Sequence, residues 1–110
     1  MPLYMYQAAY TAESLAAQLK NPQNRADTVG RAACEAVGGR LVGSWYCFGE
    51  YDLMIIADVP DNGSMAAIAL AIAAGGAVKS ARTTVLMSGE EAVAGMKKAD
   101  AVARIYKPAR

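Results

Sequence analysis

The sequence predicts an α+β domain in which four antiparallel strands form one sheet and the helices cover one face of it. Three observations lead to this prediction. Four short segments carry apolar residues at the alternating spacing of half-buried strands. Segments with helical spacing lie between the first and second strands and between the third and fourth. The chain has 110 residues, enough for a single domain, residues 1–110, with one hydrophobic core.

The first predicted strand covers residues 3–10, and neither of its faces is plainly polar. A short helix is expected next, because Thr11 is a favourable N-cap, and it should continue through Lys20. Asn21 then predicts a second N-cap, with Pro22 as the first residue of the next helix.

The second predicted helix ends near Val37, since two consecutive glycines follow and supply a C-terminal stop. Its apolar stripe is expected to face the sheet, and Cys34 is expected to lie to one side of that stripe. The stripe consists of Ala26, Val29, Ala33 and Val37.

Residues 40–48 and 51–59 predict a β-hairpin with a tight connection at Gly49 and Glu50. The sequence around this turn is FGEYD. It raises a question, because Asp52 falls where the second strand has already begun.

Residues 65–74 are ten consecutive apolar positions. A membrane span needs roughly 20 residues, so we expect no membrane partner. In a helix, Ile68 and Ile72 share one face, whereas Leu70 points in nearly the opposite direction. This helix is therefore not expected to be a one-sided surface helix.

The last strand is predicted over residues 78–87, after which Ser88 and Glu91 form a capping box that opens a final helix. Apolar residues on that helix are Val93, Met96 and Ala99. Residues from about 100 to 110 are basic, and we expect them to form a C-terminal arm that either lies on a neighbouring chain or is mobile.

The resulting order of elements, βαββαβ, is that of the ferredoxin-like fold. Both main helices would lie on one face of the sheet, which leaves the other face without cover although it carries Met54 and Ile56. Exposed apolar surface of this kind is a liability. We therefore expect a homo-oligomer. A dimer is the favoured oligomeric state, and a trimer or a multiple of the dimer is the next alternative.

Composition excludes several classes of function. A net charge of +1 offers little attraction to nucleic acid. The chain has no histidine, and its two cysteines, Cys34 and Cys47, cannot build a zinc site unaided. Ser-His-Asp and Cys-His catalysis are therefore excluded, and we expect neither a metal nor a cofactor. The N-terminus lacks the features of a secretory signal, which predicts a cytoplasmic location.

Five stretches of the chain together resemble the GYD-domain family. They are the N-terminal MPLYMYQAAYT, the helix restart at Pro22 with Arg25, the Gly38-Gly39 stop, the FGEYD hairpin at residues 48–52 and the strand that ends in Val59-Pro60-Asp61. The resemblance implies a ferredoxin-like fold of the dimeric α/β-barrel type. Proteins of that type include cofactor-free monooxygenases, isomerases, polyketide cyclases and the ligand-binding domains of feast/famine transcription regulators, and fold alone does not choose among them.

Aromatic side chains on neighbouring strands predict an apolar pocket between the sheet and the helices. The predicted ligand-binding residues are Tyr4, Tyr6, Arg25, Trp45, Tyr46, Tyr51 and Asp52. Asp52 has two interpretations. In the first, its carboxylate pairs with an arginine or caps backbone amides. In the second, it anchors a ligand or acts as a base, and it is then the candidate catalytic residue.

Three functions are consistent with these residues. The first is a homo-oligomer that binds a small organic molecule in the aromatic-lined pocket. The second is a cofactor-free enzyme, a monooxygenase, isomerase or cyclase, in which Asp52 or a tyrosine handles the proton. The third is a purely structural oligomer subunit that needs no pocket. We favour the first because the sequence contains no recognisable proton-transfer pair, but whether the chain is an enzyme stays open.

Overall fold

The computed structural model describes residues 2–110. In chain order, the elements are β1 (Leu3–Tyr10), α1 (Ala12–Lys20), α2 (Arg25–Ala36), β2 (Arg40–Tyr46), β3 (Leu53–Asp58), α3 (Asn62–Ala74), β4 (Val78–Leu86) and α4 (Gly89–Ala103). In the described part of the chain, no helix combines the length and the apolar character that a membrane crossing requires.

The four strands form one antiparallel sheet in the order β2-β3-β1-β4. This order, with helices between β1 and β2 and between β3 and β4, confirms the predicted ferredoxin-like fold. The core lies on the sheet face that the helices cover. There, Tyr6 of β1 lies opposite Ile55 of β3, and both are buried.

The other face of the sheet has no helix over it within residues 2–110. We call it the open sheet face. Its side chains, as the strand register places them, include Leu3, Met5, Gln7, Trp45, Met54 and Ile56, together with Asp58, Arg82 and Thr84. Trp45, which lies opposite Met54, is 52% exposed. The predicted uncovered face is therefore present in the structure.

The start of α1 agrees with the prediction, and the start of α2 does not. The Thr11 side chain accepts a hydrogen bond from the backbone N–H of Ser14, as an N-cap should. Asn21, however, is the C-cap of α1, since its own N–H donates to the Gln18 carbonyl. The N-cap of α2 is Asn24, so α2 begins at Arg25 and not at Pro22.

The buried face of α2 is displaced from the predicted stripe. Ala26, Gly30 and Cys34 are its buried residues, with Cys34 at 0% exposure, whereas Val29 is 37% exposed. The prediction that Cys34 lies to one side is therefore wrong. Gly30 explains the shift, because a Cβ at this position would already be 3.4 Å from Leu41, so that the glycine lets α2 pack closely on β2.

The hairpin connection is longer than predicted. β2 ends at Tyr46 and β3 begins at Leu53, so the strands do not extend to Phe48 and Tyr51. The ladder closes with the N–H of Cys47 donating to the carbonyl of Asp52 at 2.9 Å. Gly49 lies in the loop beyond this pair with a φ of +138°, a conformation that favours glycine. Asp52 therefore precedes β3 and does not lie inside it.

Candidate functional site

A cavity of about 860 Å³ lies between the covered face of the sheet and helices α1, α2 and α3. We call it the helix-side cavity. Its apolar lining includes Ala8, Ala17, Ala26, Val29, Gly30, Ala33, Leu53, Ile55, Ala67, Ile68, Ala71, Ile72 and Val78. Alanine and glycine dominate the helix residues in this set, and their small side chains do not fill the space between α2 and α3. The cavity is thus a consequence of residue size on two helices.

One end of the cavity is polar. Ser14 and Gln18 of α1 and Gln23 and Arg25 around the start of α2 contribute to the lining there. Arg25 is exposed, and within residues 2–110 it forms no ion pair with a carboxylate. The arrangement therefore offers an apolar body and a mouth that carries the positive charge of Arg25.

Two tyrosines of β1, Tyr6 and Tyr10, line the cavity. Burial raises the pKa of Tyr6. Burial also raises the pKa of Tyr10, and the neighbouring Tyr46 and Asp52 act in the same direction, whereas Arg25 acts in the opposite one. Both phenols are therefore protonated at neutral pH and are poorly suited to accept a proton.

The hydroxyl of Tyr6 is fully buried and has no hydrogen-bond partner among the described residues. Because solvent does not reach this oxygen, a molecule in the cavity would contact the ring of Tyr6 and not its hydroxyl. Tyr6 thus contributes apolar surface to the site.

Asp52 lies beside the cavity, next to Tyr10. Its carboxylate accepts a hydrogen bond from the backbone N–H of Tyr10 at 2.8 Å, and its own N–H donates to the carbonyl of Ala8 at 2.9 Å. Asp52 is half-buried and is not among the lining residues. The observed geometry is that of a carboxylate capping a backbone amide, one of the two roles considered for this residue.

Tyr46 fixes the start of α2. Its hydroxyl oxygen accepts a hydrogen bond from the backbone N–H of Ala26 at 3.1 Å, a donor that has no partner within the helix. Its ring is half-exposed and borders a second, shallower pocket of about 340 Å³ beside Leu19 and Pro22. Tyr46 thus holds the element that carries Arg25 and is itself outside the larger cavity.

The remaining predicted residues do not meet at the cavity. Tyr4 is buried in the core, where its hydroxyl donates to Asn62 at 2.5 Å. Trp45 is on the open sheet face. Tyr51 is half-buried in the hairpin loop, and its carbonyl accepts from the Cys47 thiol at 3.2 Å. Of the seven predicted residues, the structure therefore places Tyr6 and Arg25 in the lining.

Sequence reasoning missed Tyr10 and the lining from α3, which includes Ile68 and Ile72. The available signal was the run of small residues on both helices. Ala26, Gly30 and Ala33 on α2, with Ala67 and Ala71 on α3, mark the faces that bound the cavity.

Residues 2–110 contain no cluster of three or more histidine, cysteine, aspartate or glutamate side chains that could hold a metal ion. Cys34 and Cys47 are free thiols. Cys34 is buried in the core, and its burial raises the pKa of its thiol. It therefore acts as a small apolar core residue.

Comparison with known proteins gives a family match and a likeness among solved structures. The model of the GYD domain matches residues 4–95 of the chain. Among solved structures, the chain is similar to one described as "crystal structure of FFRP-DM1", with 14% sequence identity and a TM-score of 0.49, over 79% of this chain and 100% of that one. No curated protein matches the chain.

Proposed function

Since the chain belongs to the GYD-domain family and a fold by itself fixes no activity, we propose a function from its cavity: the chain forms a homo-oligomer and binds a small organic molecule in the helix-side cavity. The molecule would have an apolar body and an anionic group. The observation that carries this proposal is an apolar cavity whose mouth presents Arg25 without a carboxylate partner.

The size and lining of the cavity support the proposal. Small-molecule sites usually have volumes of about 300 to 1,000 Å³, mostly apolar walls and a few polar groups. The helix-side cavity has about 860 Å³, walls of alanine, isoleucine, leucine and valine, and polar groups at one end. The aromatic contribution comes from Tyr6 and Tyr10, so the pocket that we propose is aliphatic with an aromatic floor on β1.

Charge at the mouth suggests the class of ligand. Arg25 is the first residue of α2, so it lies where the helix dipole also favours a negative charge. A carboxylate or sulfonate at this end would pair with the guanidinium while the apolar body lies against Ile68 and Ile72. We therefore propose apolar organic acids as the ligand class.

Binding is favoured over proton chemistry by the state of the titratable groups. The phenols of Tyr6 and Tyr10 hold their protons more tightly than free tyrosine does. The carboxylate of Asp52 accepts the backbone N–H of Tyr10 and lies outside the lining. Neither arrangement resembles a base poised over a substrate.

Self-association is supported by the open sheet face. Met54 and Ile56 are half-buried there, and Trp45 is about half exposed. Apolar patches of this kind on soluble proteins commonly mark interaction sites. The oligomeric part of the proposal therefore concerns this face, on the opposite side of the sheet from the cavity.

Two measurements test the proposal. Native mass spectrometry of the purified protein should detect a co-purified small molecule, released on denaturation. Titration with an anilinonaphthalene sulfonate dye, which combines an aromatic body with an anion, should saturate at one dye per chain.

Arg25→Gln should weaken dye binding several-fold and reduce its salt dependence. Arg31→Gln is the matched control, because it removes the same charge from the same helix while Arg31 is paired with Asp27 at 2.9 Å. Equal binding by both variants would argue against the proposed site.

A further inference from the structure

Tyr10 is held in the wall of the helix-side cavity by hydrogen bonds on both sides of it in the chain. Its own backbone N–H donates to the Asp52 carboxylate at 2.8 Å, and the N–H of the next residue, Thr11, donates to the carbonyl of Ala77 at 2.9 Å. The side chain of Tyr10 is 8% exposed and lines the cavity. The backbone that carries this ring is therefore fixed before any ligand is bound.

The hydroxyl of Tyr10 differs from that of Tyr6 in its access to the cavity. Neither hydroxyl has a hydrogen-bond partner among residues 2–110, but only the Tyr6 oxygen is sealed from solvent. Burial, more than any neighbouring charge, raises the pKa of the Tyr10 phenol, so this hydroxyl keeps its proton at neutral pH. The phenol of Tyr10 is therefore a hydrogen-bond donor that a molecule in the cavity can reach.

Arg25 is fixed at the same end of the cavity as Tyr10. It is the first residue of α2, and the next N–H along the helix, that of Ala26, donates to the hydroxyl oxygen of Tyr46 at 3.1 Å. The positive charge of Arg25 lies near enough to Tyr10 to act against burial and lower the pKa of its phenol. Guanidinium and phenol are thus neighbouring donors in the lining of one cavity.

Both donors are positioned by the end of the hairpin formed by β2 and β3. Tyr46 is the last residue of β2, and Asp52 directly precedes β3. Cys47 connects them, because it follows Tyr46 in the chain and its N–H donates to the Asp52 carbonyl at 2.9 Å. One hairpin end therefore holds the end of β1 at Tyr10 and the start of α2 at Arg25, and so sets the separation of these two backbone segments.

We propose that Tyr10 is the second anchor of the site and determines its specificity: its phenol donates a hydrogen bond to the same anionic group that pairs with Arg25. A carboxylate or a sulfonate has enough oxygens to accept from both donors at once. Because a hydrogen bond to an ionised group is stronger than one between neutral groups, the phenol should favour an anion over an uncharged molecule of the same shape. The inference rests on the proposed ligand binding in the helix-side cavity and adds the residue that selects the anion.

Two probes of the same shape test this selection. One is the anilinonaphthalene sulfonate dye, and the other is phenylnaphthylamine, its uncharged counterpart without the sulfonate. Fluorescence titrations with each probe compare the wild type, Tyr10→Phe and Tyr6→Phe. Tyr10→Phe removes the O–H and keeps the ring and the backbone hydrogen bond to Asp52. Tyr6→Phe is the matched control, because it removes a hydroxyl of the same strand that solvent does not reach.

Tyr10→Phe should bind the sulfonate dye several-fold more weakly than the wild type and should bind phenylnaphthylamine equally well. Tyr6→Phe should bind both probes as the wild type does. Unchanged dye affinity in Tyr10→Phe, or equal weakening of both probes, would overturn the role of Tyr10 while leaving the cavity and Arg25 as proposed. Absence of saturable dye binding to the wild type would overturn the proposed ligand binding and this inference with it. Tyr10→Phe should fold normally, since its hydroxyl has no hydrogen-bond partner within residues 2–110.

Discussion

The Asp52 carboxylate accepts the backbone N–H of Tyr10 at 2.8 Å, and so connects the end of the hairpin loop to the end of β1. This contact answers the question raised by FGEYD. The carboxylate of Asp52, just before β3, accepts this hydrogen bond where β1 leaves its regular pairing with β4, between Ala9 and Tyr10. Tyr10 in turn lines the helix-side cavity, so Asp52 positions one of its walls.

Replacement of Asp52 tests this structural role. Asp52→Ala leaves the Tyr10 N–H without its acceptor and should lower the free energy of unfolding by about 1.5 to 3 kcal/mol, the usual range for a hydrogen bond to a charged group. Asp52→Asn keeps an acceptor oxygen and should lose less than half of that. Urea denaturation of the two variants measures the difference. Equal losses would mean that the charge, and not the acceptor, is what matters.

Tyr4 and Tyr6 form a matched pair on β1. Both are buried, but the Tyr4 hydroxyl donates to Asn62, whereas the Tyr6 hydroxyl has no partner among residues 2–110. Tyr4→Phe should therefore lower the free energy of unfolding by about 1 kcal/mol. Tyr6→Phe should leave stability unchanged or raise it, since it removes an unsatisfied buried polar atom. Thermal or urea unfolding ranks the two variants, and the reverse ranking would contradict the assigned hydrogen bonding.

Alkaline pH should destabilise the protein through the phenol of Tyr6. Burial raises the pKa of Tyr6 above its ordinary value of 10.0, so the folded state keeps this proton where the unfolded state has lost it. The resulting stability is fully present below pH 10 and is lost as the pH rises through the folded pKa of Tyr6. The free energy of unfolding, measured from pH 8 upward, should thus fall less steeply in Tyr6→Phe than in the wild type. Parallel curves would mean that Tyr6 does not contribute.

Assembly through the open sheet face is tested by a charge at its centre. Met54→Asp should dissociate or unfold the protein, because an unpaired carboxylate would be buried in the contact. Lys98→Asp makes a larger change in charge, but Lys98 is an exposed residue of α4 and does not lie on the open sheet face, so assembly should be nearly unaffected. Size-exclusion chromatography with light scattering compares them. Retention of the wild-type mass by Met54→Asp would remove this face from the interface.

Local signals in the sequence predicted local structure well. The side chain of Thr11 caps α1, and Ser88 with Glu91 forms the capping box of α4, because each depends on residues within one turn. Asn21 failed as a cap of α2 because an equally suitable asparagine, Asn24, lies three residues later and the end of α1 uses the first one. Propensity alone does not distinguish them.

The candidate site was less predictable for a physical reason. The helix-side cavity exists because α2 and α3 do not fill the space between them, and the periodicity of one helix contains no information about its distance from another. Cys34 illustrates the same limit. Its place at the centre of the core follows from the close packing of Gly30 on Leu41, a contact between α2 and β2. The spacing of aromatic residues along the strands predicted both Tyr6 and Trp45 as lining residues. Tyr6 does line the helix-side cavity, whereas Trp45 lies on the open sheet face.

The most direct test of ligand binding in the helix-side cavity is a dye titration of a variant with the cavity filled. Ala71 lines the cavity and Ala73, two residues later on α3, does not. Fluorescence titration with anilinonaphthalene sulfonate should show saturable binding to the wild type and to Ala73→Phe. It should show binding weakened at least about tenfold, or roughly 1.4 kcal/mol, in Ala71→Phe. Equal affinity in all three proteins, or no saturable binding to the wild type, would contradict the proposed site.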